Sequence, residues 1–172
     1  MPAGSHTQRP PQIKPARVRA WLAAVADPEI PVLSIADLGI LRDVQCRDGE
    51  LVVVITPTYS GCPAMHAIEQ AIEAELHRHG VESFQIHTRL APPWSSDWIT
   101  PAGRRKLFDY GIAPPAQSAS GKRERPDGEP RLACPQCGSA HTTRISEFGS
   151  TACKALYRCG DCLEPFDYFK CI

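Results

Sequence analysis

Apolar and polar positions along the chain fall into segments of two periods. Over 14–26, KPARVRAWLAAVA, Val18, Leu22 and Val25 recur at helical spacing with Trp21 flanking the stripe, which predicts a helix. Residues 27–39, DPEIPVLSIADLG, hold two prolines and a glycine and predict mostly loop. From Ile40 to Cys46 apolar and polar residues alternate, which predicts a strand with Ile40, Val44 and Cys46 on one face. Asp48-Gly49 then marks a hairpin turn into the apolar run Leu51–Ile55. In 64–80, Met65, Ile68, Ile72 and Leu76 form one stripe of a second helix, and Gly80 stops it. Phe84, Ile86, Thr88 and Leu90 alternate as a third strand. Thr100 as N-cap and Pro101 in the first turn open a short helix that Gly111 ends.

Two or three strands need helical cover to be stable, and these helices supply it. The expected class is therefore α+β: a small two-layer α/β domain over 13–113, with a three-stranded sheet covered by helices. Residues 1–12 read as a disordered N-terminus. Residues 114–131 are rich in Pro, Gly, Ser and charge and nearly lack apolar residues, so they read as a flexible linker. The remainder, 132–172, is dominated by cysteine.

Of the eight cysteines, only Cys46 and Cys62 precede the linker. In the tail, Cys134-x2-Cys137 and Cys159-x2-Cys162 form two knuckles, with 21 residues (138–158) between them. That spacing is one beyond the usual four-cysteine zinc range of about 15–20. TTRISEFG and ALYRC supply strand formers between the knuckles. A tail this short has too little core to fold alone, and a structural zinc contributes on the order of 10 kcal/mol of coupled folding free energy. The tail is therefore expected to be a four-cysteine zinc ribbon. Cys153 and Cys171 are left over; they keep open a labile iron–sulfur cluster, a disulfide set, or simple burial beside the ribbon.

Charge narrows the function classes. The formal net charge is zero with 22% charged residues, which argues against nucleic acid and against a membrane surface. No apolar run approaches the roughly 20 residues of a membrane span, and MPAGSHTQRPPQIKP has no apolar h-region. A cytoplasmic chain with reduced thiols is expected, in which cysteines serve metal or redox chemistry.

Cys62 lies in TPTYSGCP (56–63), at the turn from an apolar strand into a helix, with Pro63 at the first helical position. Unpaired backbone N–H groups and the helix dipole favour a thiolate there. Gly61 permits close approach, and Thr56, Thr58, Tyr59 and Ser60 are hydrogen-bond donors. His66, four residues on, is either a second ligand or base, or a surface histidine. Cys62 itself is equally readable as a small buried hydrophobe. Asp27, Glu29 and Asp37 are readable as functional carboxylates or as turn formers; Asp37, followed by Leu-Gly, is the preferred functional one.

DPEIPVLSIADLGI (27–40) together with TPTYSGCPA (56–64) resembles the family of iron–sulfur assembly factors that includes SufT-type proteins. PPWSSDWITPAGRRKLFDYGIAPP, CPQCGS and FGSTACKALYRC extend the likeness, over roughly 14–172, to the PaaD family of bacterial phenylacetyl-CoA epoxidase systems. The resemblance implies that Cys62 is the functional thiol, with Asp27, Glu29, Asp37, Thr56 and Thr58 in the motif loops around it. It also implies an accessory factor that matures the multicomponent phenylacetyl-CoA oxygenase of phenylacetate catabolism, with no catalytic activity of its own. Cys62 would hold iron or an iron–sulfur cluster transiently, and the partners would be the oxygenase subunits or their iron–sulfur reductase. A structural subunit without metal transfer is the competing reading. A thiol enzyme using Cys62 and His66 is a third, weakened by the lack of a group to orient the histidine. A homodimer in which Cys62 of two protomers meet stays open.

Overall fold

In the computed structural model, which describes residues 14–47, 50–115 and 130–170, the elements follow the predicted periods with a few offsets. The expected disordered N-terminus, the Asp48-Gly49 turn, most of the 114–131 linker and Cys171 lie outside the described residues. Helix α1 runs Pro15–Leu22 with a proline in its first turn, and buries Val18 and Leu22. It ends four residues before the predicted end. The Val25 N–H turns back onto Leu22 O (3.1 Å), and an isolated bridge pairs Ala26 with Ser34. Val25 still reaches the core, but from a turn.

Strand β1 (Leu41–Arg47) pairs antiparallel with β2 (Glu50–Ile55). Helix α2 (Ala64–Arg78) then crosses over, so that β3 (Phe84–Thr88) lies parallel to β2 in the order β1-β2-β3. A bulge between Leu41 and Asp43 resets the alternation of β1. Leu41 and Val44 face the core; Cys46, two residues after Val44 and on the same face, is exposed near the end of the strand. The central strand β2 is buried from Leu51 to Ile55. Strand β3 is an edge, half-burying Phe84 and Ile86, and Leu90 beyond its end is 61% exposed instead of continuing the inward face. Ala64, Ile68, Ile72 and Leu76 carry the inner stripe of α2 onto the sheet. Each fully buried Leu or Ile contributes roughly 1.5–3 kcal/mol.

Helix α3 (Pro101–Asp109) starts as expected, with the Thr100 hydroxyl accepting the Gly103 N–H at 2.9 Å. Its successor β4 (Ile112–Ala113) joins a second sheet of order β4-β7-β6-β5, whose other members are β5 (Thr142–Ser146), β6 (Lys154–Cys159) and β7 (Pro165–Phe169). The tail sheet therefore takes its edge strand, parallel to β7, from the chain leaving α3. Leu132, Ala155, Tyr157, Phe166 and Tyr168 form a small core of its own with Cys134 and Cys159.

Two tail residues belong instead to the main core. Phe169 is 1% exposed and Cys153 5% exposed, both packed with the helices and the first sheet. Trp94 sits 6.0 Å from the Phe169 ring, and its indole N–H donates to Leu38 O at 2.9 Å. Gly39 (φ +70) lies so close to Trp98 that a Cβ there would meet the Trp98 Cβ at 2.7 Å. The class is the expected α+β domain with a cysteine-rich β-ribbon. Among the described residues no helix is long and apolar enough to cross a membrane.

Phe169→Ala leaves a cavity where tail and main core meet, and is expected to cost about 3–5 kcal/mol. Urea unfolding followed by tryptophan fluorescence measures it; a loss under about 1 kcal/mol would show that the tail is not anchored in the main core.

Candidate functional site

Loop 27–40 has no regular element, so its buried backbone groups need side-chain partners. Asp27 is one: its Oδ1 accepts the N–H groups of Glu29 (3.0 Å) and Ile30 (2.7 Å). Asp37 is the other: its Oδ2 accepts the N–H and hydroxyl of Ser34, each at 3.0 Å, and the Lys106 ammonium at 2.6 Å. The Thr100 hydroxyl reaches Asp37 Oδ1 at 3.4 Å, and the Thr100 N–H donates to Asp37 O at 2.9 Å. Burial raises the Asp37 carboxyl, but the bonds from Lys106 and Ser34 outweigh it and hold the group below the usual carboxylate range.

The second motif follows β2. Thr56 is buried and its N–H bonds Ile40 O at 2.9 Å, tying this turn to the loop. Gly61 takes φ +77, the Cys62 N–H bonds Tyr59 O (3.2 Å), and Cys62 O accepts from Met65 as α2 begins (3.2 Å). Pro63 is already helical, at φ −67, just before the first residue of α2. Cys62 is thus half-exposed at the start of a long helix.

Loop, turn and tail enclose a cavity of about 10 Å³. Its polar lining is Asp27, Glu29, Thr58, Cys62 and Cys153, against an apolar floor that includes Ile40, Ile68 and Phe169. Four of the six motif residues are thereby brought together: Asp27, Glu29, Thr58 and Cys62. Asp37 and Thr56 are not in the lining; both brace the loops behind it. His66 is exposed on α2 and outside the lining. Cys153 is the lining residue that motif reasoning did not place. The inward face of Cys153, Ala155, Tyr157 and Cys159 is readable from period-two spacing, but not what that face meets.

The cavity disfavours negative charge. Burial raises the Asp27 carboxyl despite the N–H groups of Ile30 and Glu29, and burial and then the charge of Asp27 raise Glu29. Burial also raises the Cys153 thiol, with the Thr151 hydroxyl opposing and the charge of Glu29 adding. Burial and then the neighbouring Cys62 push the Tyr59 phenol up to about 12. Burial thus disfavours the charged forms of Asp27, Glu29 and Cys153, and a cation among them would offset that cost.

The tail holds a second cluster. Cys134, Cys137, Cys159 and Cys162 place their sulfurs within 4.8 Å of one another, with Cys134 to Cys162 at 3.7 Å and Cys137 to Cys159 at 3.5 Å. A tetrahedral ion with metal–sulfur bonds of about 2.3 Å sets sulfurs about 3.8 Å apart, so the four fit a metal. Gly138 (φ +75) closes the first knuckle through its N–H to Cys134 O (2.8 Å). The Cys159 N–H to Glu164 O (3.0 Å) closes the second around Leu163 (φ 65). The N–H of Cys162, aimed at the Cys159 sulfur, pulls that thiol down to about 6. Cys162 is pushed up to about 12: the Glu164 N–H lowers it, but burial and the neighbouring sulfurs outweigh that.

Two stretches of the chain match known families. The family described as "Iron-sulfur cluster assembly protein" matches residues 15–82, and the one described as "PaaD zinc beta ribbon domain" matches residues 118–170. A protein of Escherichia coli (strain K12), named as one of the subunits of a "Putative 1,2-phenylacetyl-CoA epoxidase", is 49% identical over 166 residues, 96% of this chain and 97% of that one. A Porphyromonas gingivalis (strain ATCC BAA-308 / W83) protein named "Fe-S protein maturation auxiliary factor" is 33% identical over 81 residues, 46% of this chain and 76% of that one. A solved domain of unknown function, DUF59, from Bacillus anthracis superposes with TM-score 0.50 at 27% identity, covering 54% of this chain and 90% of that one.

Asp37→Asn removes a charge-assisted hydrogen bond and is expected to cost about 1.5–3 kcal/mol near neutral pH. Because the folded carboxyl titrates below its unfolded value of about 3.9, this contribution is full above that pH and is lost as pH falls through the lower folded value. Urea midpoints of wild type and Asp37→Asn, compared from pH 7 to 3, should converge at the acid end; a constant gap would assign the stability to another group.

Proposed function

The chain belongs to the PaaD family, and from that membership we propose that it is an accessory maturation factor of phenylacetyl-CoA oxygenase, assisting iron or iron–sulfur assembly through Cys62. The observation that carries this reading is the placement of Cys62: a half-exposed thiol at a helix start, opening on a cavity that also presents Asp27, Glu29 and Thr58. Soft thiolate and hard carboxylate donors together suit iron passing through as cargo. Asp37 and Thr56 serve by holding the two loops in register. The relatives support the same reading from outside, one named for the epoxidase system and one for iron–sulfur protein maturation.

The four-cysteine cluster holds zinc in this reading. Cys134, Cys137, Cys159 and Cys162 fill a tetrahedral shell and leave no open position, so the ion's contribution is folding free energy for the tail. His66, exposed and away from the cavity, does not supply a base to Cys62. The protein then acts on a client, the oxygenase subunits or their iron–sulfur reductase, and carries out no oxygenation itself.

Cys62→Ser is expected to keep its zinc and its thermal midpoint while oxygenase produced in its presence stays inactive for lack of metal. The check is oxygenase activity and iron content after co-expression with wild type or variant. A fully active, fully loaded oxygenase beside Cys62→Ser contradicts the reading. An already mature oxygenase that stops working when this protein is withdrawn would instead assign it as a structural subunit.

A further inference from the structure

Cys153 belongs neither to the zinc knuckles nor to the motif loops. It is nonetheless buried, at the foot of β6, and lines the same cavity as Cys62. A thiol kept for packing alone sits among hydrocarbon groups. The Cys153 sulfur instead has the Thr151 hydroxyl at 3.0 Å and Glu29 Oε2 at 4.0 Å. Glu29 is held toward it because Asp27 accepts the Glu29 N–H.

We propose that Cys62, Cys153 and Glu29 form a site for a single thiophilic divalent cation, with Fe²⁺ as the cargo, built jointly by the motif loops and the tail. The inference rests on the maturation reading and specifies its cargo and its ligands. Metal–sulfur and metal–oxygen bonds of about 2.3 and 2.0–2.2 Å together span about 4.4 Å, so one ion can bridge a sulfur and an oxygen separated by 4.0 Å. The size of the space agrees with a single ion: a cavity of about 10 Å³ has room for roughly one water-sized occupant. Ligand type narrows the metal to a thiophilic ion, since thiolates discriminate against Mg²⁺ and Ca²⁺, and the maturation reading supplies Fe²⁺ among those.

Among the described residues, only the four ribbon cysteines bring three or more ligand atoms within 4.8 Å of one another, so Cys62 must swing toward the Cys153–Glu29 pair when the ion enters. Cys62 is half-exposed and already lines the cavity, so the movement is one of its side chain within that space. One ligand is carried by the tail, so a client that displaces the tail removes a ligand and releases the ion.

The test adds Fe²⁺ alone, without sulfide, to the full-length zinc-loaded protein under anaerobic conditions. Bound iron and thiolate-to-iron charge-transfer absorption are read together. Wild type should bind one iron beyond its zinc. Cys62→Ser, Cys153→Ala and Glu29→Gln should each weaken that binding by more than about tenfold, with zinc and circular dichroism unchanged. Glu29→Gln, at a half-buried loop position, decides the matter if Cys153→Ala fails to fold. Iron binding lost in Cys62→Ser but unchanged in Cys153→Ala and Glu29→Gln overturns this inference and leaves the maturation reading standing. Retention of iron only together with sulfide overturns the single-ion cargo alone. No iron on wild type under either condition overturns both readings.

Discussion

The carboxylate of Asp37 joins two segments that are far apart in sequence: its own loop, through Ser34, and helix α3, through Thr100 at its cap and Lys106 within it. Much of the molecule follows from that junction. Loop 27–40 is buried yet irregular, so without fixed side-chain acceptors its backbone would be left unpaired. The fit is close on both sides. A Cβ at Gly103 would lie 3.0 Å from Asp37 O, and one at Gly39 would strike Trp98. With Asp37 held, Leu38 O is presented to the indole of Trp94, and Trp94 in turn packs against Phe169 of the tail. At the other end of the loop, Asp27 sets the turn that carries Glu29 into the cavity.

The tail has two supports. Its own core is small and is closed by four sulfurs arranged for a tetrahedral ion. Its other support is the main domain: β4 lends an edge strand, and Phe169 and Cys153 sink into the larger core. A ribbon meant only to recognise a client would not need to bury a thiol beside a carboxylate of the neighbouring domain. This second attachment makes the tail one wall of the cavity that Cys62 opens on.

What the sequence disclosed divides by range. The inner stripe of α2, the Thr100 cap and the paired knuckles are local patterns, and they stand where spacing put them. The loop motifs were legible as a group through resemblance, but their division of labour was not. Asp37 faces Lys106, 69 residues on, and so braces the loop, while Asp27 and Glu29 line the cavity. Cys46 shares the face of Val44 but is exposed near the end of β1, and alternation alone does not say where along a strand the cover stops. Cys153 was hidden for the same reason of distance: its carboxylate neighbour lies 124 residues away, and only the docking of the tail brings the two together.

The central claim is that motif loops and tail build one metal site distinct from the ribbon's. X-ray absorption at the iron edge of Fe²⁺-loaded, zinc-replete protein tests it most directly, because it counts the iron's neighbours. The account predicts two sulfur neighbours with oxygen completing the shell and no iron–iron vector. Four sulfur neighbours would put the iron in the ribbon, a single sulfur would remove Cys153 from the site, and an iron–iron vector would make the cargo a cluster; each contradicts the account.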